Sequence, residues 1–244
     1  MNDLEKIFRR HNGRLIDKWS NYFEIYDRHF SRYRGTDLTL VEFGVFQGGS
    51  LGVWQEYFGP KASIVGIDIN PACKVFEDDR TKIIIGDQGD ARFLESIKEQ
   101  VPHIDILIDD ASHFVAHQIL TFKTLFSHIA VDGIYLCEDN HTSYWPEYGG
   151  KNKGRGSYIE FTKCLIDELH GWHATGKDSL SVTDFTRTAH SMHYYDSVLA
   201  IEKRLMHAPV RLRVGSPSLP VESFDQSFKQ GLKSRLLRMT TWLR

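Results

Sequence analysis

Ile104–His113 reads IDILIDDASH: an apolar run that stops at two carboxylates, Asp109 and Asp110, with a histidine three residues later. Four to six mostly apolar residues are the right length for a strand buried on both faces, as in a parallel sheet covered by helices. Acids where such a strand ends stand at the rim of the sheet, where open α/β sheets bind ligands.

A second run, Gly133–Asp139 (GIYLCED), ends the same way in Glu138 and Asp139. A helix-length segment separates the two runs, so a right-handed crossover lays them side by side and brings their acids together. One acid at a strand end often only caps the next helix. Two matched pairs point instead to an oxygen-rich seat for a hard divalent cation such as Mg2+, with His113 beside it. His117 lies four residues beyond His113 but has no third partner at zinc spacing, and reads as a helix-face residue.

Upstream, Leu38–Val45 reads as a strand that opens into Gly44-Val-Phe-Gln-Gly48-Gly49-Ser50 and a helix through Tyr57. Strand, glycine loop and helix form the layout of a nucleotide site, because glycines admit close backbone approach and a helix N-terminus offers free N–H groups. Glu42 precedes the loop, and three residues separate Gly44 from Gly48, which is not the dinucleotide spacing. The next strand, Ser63–Ile69, ends in Asp68, a carboxylate suited to accept both ribose hydroxyls of an adenosine. A third strand, Lys82–Ile85, precedes Asp87 and Gln88, either of which suits an adenine edge; Asp90 reads as the N-cap of a helix over Ala91–Gln100. The expected fold is therefore α/β: a Rossmann-like, doubly wound, mostly parallel sheet. Ser191–Lys203, two strands turning at Tyr195–Ser197, adds an antiparallel last strand.

Three segments are expected: a helical one over 1–35, a cofactor-binding catalytic domain over 36–205, and a linker with a basic amphipathic helix over 206–244. Residues 2–34 read as helix: Leu4, Ile7 and Phe8 recur at helical spacing, and after Asn12-Gly13 a longer run carries Leu15, Trp19, Tyr22, Phe23, Tyr26 and Phe30. After Asp139, residues 140–157 form a long loop rich in glycine and aromatics, the usual form of a lid or binding loop; His141, Tyr144 and Trp145 are its candidate acceptor contacts. In the tail, Phe228, Leu232, Leu236, Met239 and Leu243 share a helical face ringed by lysines and arginines. Such a helix fits an anionic membrane surface, a partner or the chain's own domain, and these stay open.

Thirty basic against 32 acidic residues leave a formal charge of -2, which gives no reason to expect nucleic acid. Three widely spaced cysteines argue for a reducing compartment. The charged first residues and the lack of a long apolar run lead to a cytoplasmic protein, peripheral at the inner membrane face if the tail binds lipid.

From Glu42 to Lys203 the chain resembles the class I S-adenosylmethionine-dependent methyltransferases: EFGVFQGGS looks like their first motif and Asp68 like their ribose-binding acid. More narrowly, IDDASH with EDNHTSYWPEYGG is similar to the metal-dependent sugar O-methyltransferases of macrolide biosynthesis, the mycinamicin methyltransferase group, with Ala111 where that group is expected to carry glycine. The resemblance implies that Glu42, Gly44, Gly48, Ser50, Asp68, Asp87, Gln88 and Asp109 hold S-adenosylmethionine. It further implies Mg2+ on Asp110, Glu138 and Asp139, His113 as general base, and a sugar or other small-molecule acceptor; the large N-terminal accessory domain of the mycinamicin enzymes has no counterpart here, so the expected homo-oligomer is not carried over from them. Two alternatives stay open: a catechol or other vicinal diol as acceptor, and a non-catalytic cofactor-binding scaffold that works through its C-terminal helix.

Overall fold

The structure is a computed structural model that describes residues 1–174 and 180–218. Chain contacts divide it into two units, Met1–Ala208 and Pro209–Arg244. In the second, the described residues 209–218 contain neither helix nor strand and are exposed. The helix expected over Phe228–Arg244 lies outside the described residues. No helix among those described is long and apolar enough to cross a membrane.

The first unit is built on a seven-stranded sheet: β1 (Leu38–Phe43), β2 (Ala62–Asp68), β3 (Thr81–Ile85), β4 (Ile104–Asp109), β5 (Ile129–Cys137), β6 (Ala189–Tyr194) and β7 (Leu199–Lys203). Their order is β3-β2-β1-β4-β5-β7-β6. The first five run parallel, while β7 lies antiparallel to both β5 and β6. The expected mostly parallel sheet with an antiparallel last hairpin is the one observed.

The alternation of side chains along each strand separates two cores. Ile106 and Ile108 of β4 and Ile134 and Leu136 of β5 face α1 (Asp3–Arg10), α2 (Tyr22–Phe30) and α3 (Gly49–Phe58). Leu107, Tyr135 and Cys137 face α4 (Ala91–Gln100), α5 (Val115–Leu125) and α6 (Tyr158–Leu169). Burial on both faces is why the central strands read as unbroken apolar runs. Side chains cap α4 and α6: Asp90, the expected N-cap, accepts from the Arg92 amide at 2.8 Å, and Ser157 from Glu160 at 3.2 Å. A short helix, α7 (Asp184–Thr188), opens on a Thr183–Thr186 capping box.

The N-terminal segment departs from expectation. In place of a long helix over 2–34 there are α1 and α2, joined by residues 11–21 without regular structure. Leu15 and Trp19, which continue the apolar period, are 63% and 61% exposed. The period is genuine from Tyr22 onward, where Tyr22, Phe23, Tyr26 and Phe30 are buried. Before that, the chain leaves the helical path and runs as a strap to the carboxyl edge of the sheet.

Candidate active site

Strand register sets the site. Phe43 pairs with Ile67 and Asp109, and Asp109 with Cys137, so Gly44, Asp110 and Glu138 leave the sheet side by side. The ladder continues one step further: Asp110 N–H donates to the Phe43 carbonyl at 3.1 Å and Glu138 N–H to that of Asp109 at 2.9 Å. A cavity of about 1000 Å³ opens at this edge, where the strand order reverses between β1 and β4.

One end of the cavity is lined by the glycine loop, Asp68, Asp87 and Gln88. Asp68 Oδ2 accepts the Val45 and Phe46 amides at 2.9 and 3.1 Å, and Oδ1 the Asn70 amide at 2.8 Å, so this acid also shapes the glycine loop. Gly44 has φ +94, and a Cβ there would lie 2.0 Å from the Asp110 carbonyl oxygen; only glycine permits that approach. Asp87, turned by accepting the Gly89 amide at 2.7 Å, lines the cavity with Gln88. Gln88 donates to Asp109 at 2.5 Å and to Thr121 at 3.0 Å, while its carbonyl receives the Ser112 hydroxyl at 2.9 Å. Tyr135 also donates to Asp109 at 3.1 Å, and burial pushes that carboxyl up to about 7.

Not every candidate faces this space. Glu42 is wholly buried and accepts from Ser50 Oγ at 2.7 Å and Trp54 Nε1 at 3.1 Å, so the pair ties β1 to α3 behind the loop. Gly48, at φ +72, caps α3 against the Phe76 ring. Asp109 points into the second core, one residue short of the rim.

At the other end lie the remaining acids. Asp110, His113 and Asp139 each present one donor atom, all within 4.8 Å of one another. His113 Nε2 is 3.6 Å from Asp139 Oδ2, and its Nδ1 is buried with no partner. Both residues hold positive φ, 58° and 52°, as does Phe46 at 51° across the cavity. Non-glycine residues in this region are costly and persist where their surroundings dictate them. Here Thr142 does so, donating to the carbonyls of His113 at 3.0 Å and Asp139 at 2.9 Å.

Residues from the N-terminal segment complete this end, and sequence reading did not single them out. Lys18, on the strap, has a side chain only 5% exposed, and its ammonium bridges Asp110 and Glu138, at 2.8 Å from Glu138 Oε2. Burial opposes that charge, but Asp110, Glu138 and Glu42 outweigh it and hold the ammonium well above its usual range. On α2, Tyr22 donates to Asp139 Oδ1 and Tyr26 to Glu138 Oε1, both at 2.6 Å. Burial, and then the Asp110 charge, push Glu138 up against the pull of Lys18. The only sequence signal for these partners is the 18, 22, 26 spacing, and it looks the same as an amphipathic helix face.

Aromatic side chains cluster beside the acid end, where Trp19, His113 and Phe114 line the cavity. The His141 ring lies 4.7 Å from Trp145 and 6.3 Å from Trp19, and its Nδ1 meets Ser197 Oγ. Tyr148 stands 6.3 Å from His113 and 5.6 Å from Phe114. Of the loop residues named from sequence, His141 and Trp145 join this cluster without lining the cavity, and Tyr144 is half exposed and makes none of these ring contacts.

No family model matches the chain. It is 36% identical over 188 residues to mycinamicin VI 2''-O-methyltransferase of Micromonospora griseorubida, covering 73% of this chain and 47% of that protein. It is 33% identical over 198 residues to 8-demethyl-8-alpha-L-rhamnosyl tetracenomycin-C 2'-O-methyltransferase of Streptomyces olivaceus, covering 77% and 52%. Among solved structures, a methyltransferase from the mycinamycin biosynthetic pathway in complex with Mg and SAH superposes with a TM-score of 0.78 at 31% identity, over 93% of this chain and 59% of that one. The chain thus spans about half the length of the curated relatives it matches. It has the class I methyltransferase fold and, over the domain that carries it, resembles the sugar O-methyltransferases of macrolide biosynthesis.

Proposed function

We propose that this chain transfers a methyl group from S-adenosylmethionine to a hydroxyl of a sugar bearing vicinal hydroxyls, with Mg2+ at Asp110, Glu138 and Asp139. The observation that carries the reading is one cavity with two ends: a glycine loop anchored by Asp68, and a carboxylate–histidine cluster built on β4 and β5. The relatives' named substrates, a rhamnosyl tetracenomycin and a mycinamicin, support a glycosylated acceptor. The donor set suits the cation: carboxylate oxygens dominate it, and partly buried Asp110 and buried Glu138 already take up a positive charge from Lys18.

When bound, S-adenosylmethionine supplies an electrophilic methyl and the cation eases negative charge on the acceptor oxygens. Asp68 and the loop it shapes hold the nucleoside end, with Asp87 and Gln88 beside it. His113 accepts the proton of the acceptor hydroxyl at the opposite end, its ring steered by Asp139 and walled by Tyr148. Trp145 and His141 offer flat faces for a sugar ring. Holding donor and acceptor in line within one cavity is itself a large part of the rate.

The test is calorimetric titration of S-adenosylhomocysteine, followed by methyl transfer to rhamnosides. Binding is expected in the parent chain and lost in Asp68→Ala. Transfer is expected to stop in chelator and return with Mg2+. His113→Ala is expected to keep cofactor binding and lose about 10²–10⁴-fold in turnover. An intact chain that does not bind S-adenosylhomocysteine overturns the reading.

A further inference from the structure

Lys18 stands where a cation shared by Asp110 and Glu138 has to stand. Its ammonium contacts Asp110 Oδ2 and lies 2.8 Å from Glu138 Oε2. Mg2+ requires its oxygens at about 2.0–2.1 Å. An ion bound by those same two oxygens and an ammonium between them cannot coexist.

The surroundings leave one cation's worth of charge to supply there. Tyr26 already donates to the other oxygen of Glu138, and Tyr22 to Asp139. Only the facing oxygens of Asp110 and Glu138 share Lys18. The strap that brings it has few other anchors: residues 11–21 form no regular structure, Leu15 and Trp19 stay more than half exposed, and of its three apolar side chains only Ile16 packs on the core, with Arg14 over the Phe76 ring. With one partly buried apolar side chain on the strap, the two ion pairs are the main hold on Lys18 itself.

We infer that Lys18 is a resident counter-cation of the acid cluster, which gives up its seat when a divalent ion enters. The inference rests on the metal reading proposed above and adds a residue to it. With Lys18 seated, the acids stay paired in the absence of metal; when it leaves, the 17–19 stretch beside the acceptor end is released. Only molecules with the seat vacated bind metal, so the apparent affinity for Mg2+ is lowered by that fraction.

The experiment compares Mg2+ titration of the parent chain and Lys18→Met by calorimetry with amine acylation of the parent chain, quantified by mass spectrometry. Lys18→Met is expected to bind Mg2+ about tenfold more tightly or better. In the parent chain, saturating Mg2+ is expected to raise acylation at Lys18 several-fold and leave exposed Lys61 unchanged. Unchanged or weaker binding in Lys18→Met overturns the inference, as does acylation at Lys18 that ignores Mg2+. The acylation result decides alone if the variant does not fold. Failure of Mg2+ to bind either protein overturns the metal site itself, and binding that is indifferent to residue 18 overturns only the exchange.

Discussion

Tyr26 shows how much of the site rests on a single hydroxyl. It is fully buried, and its O–H reaches Glu138 Oε1 at 2.6 Å while its ring packs edge-on against Trp54 at 5.3 Å. Tyr26→Phe keeps the ring and removes the donor, leaving a buried carboxylate oxygen short of one bond. The expected cost is about 1–3 kcal/mol in urea denaturation, together with weaker Mg2+ binding. A variant as stable as the parent would mean that the Glu138 oxygen finds another donor. Glu42 makes the complementary point: an acid beside a glycine loop looks like a ligand contact, yet its oxygens are taken by Ser50 and Trp54.

At the scale of elements, α2 and the strap before it act as the back wall of the acid cluster. Tyr22, Tyr26 and His29 lie along one side of α2 and meet Asp139, Glu138 and Glu202 in turn. The strap is seated on α3 through Gly49, where a Cβ would lie 2.3 Å from the Leu15 carbonyl oxygen and 2.6 Å from that of Arg14. Both are backbone atoms, so Gly49→Ala is expected to lift the strap and leave the helix in place. Limited trypsin digestion should then cut after Arg14 faster than in the parent chain, with little change in melting temperature. A fall in melting temperature without faster cleavage would show that α3 moves instead.

For the molecule as a whole, the sheet's antiparallel edge carries a titration with a defined sign. Lys203 of β7 is buried and donates to the carbonyls of Phe126, at 2.8 Å, and Ile129. Burial pushes its ammonium down to about 8, against about 10.4 for an exposed lysine. Between those values the unfolded chain holds a proton that the folded chain lacks, so stability rises with pH across that window. Below pH 8 both states are protonated and the burial penalty is constant. The stability of the parent relative to Lys203→Met is therefore expected to increase from pH 8 to pH 10, read from urea midpoints. A difference that stays flat would place the folded lysine near its ordinary value.

The order of residues already makes the sheet and its acid-bearing carboxyl edge legible. Strands buried on both faces must be apolar throughout, so β4 and β5 are visible as runs, and the acids that end them are visible as interruptions. The glycine loop and Asp68 are legible for the same local reason: their spacing reflects one turn of backbone. Tertiary structure alone decided which polar groups face each other across that edge. Helical periodicity treats Lys18, Tyr22 and Tyr26 as one amphipathic face, because a pattern records which residues can share a side and not what lies opposite. Residues 11–21 leave the helix their spacing suggests and carry Lys18 to Asp110 and buried Glu138, whose charges it balances across a distance that local periodicity does not encode.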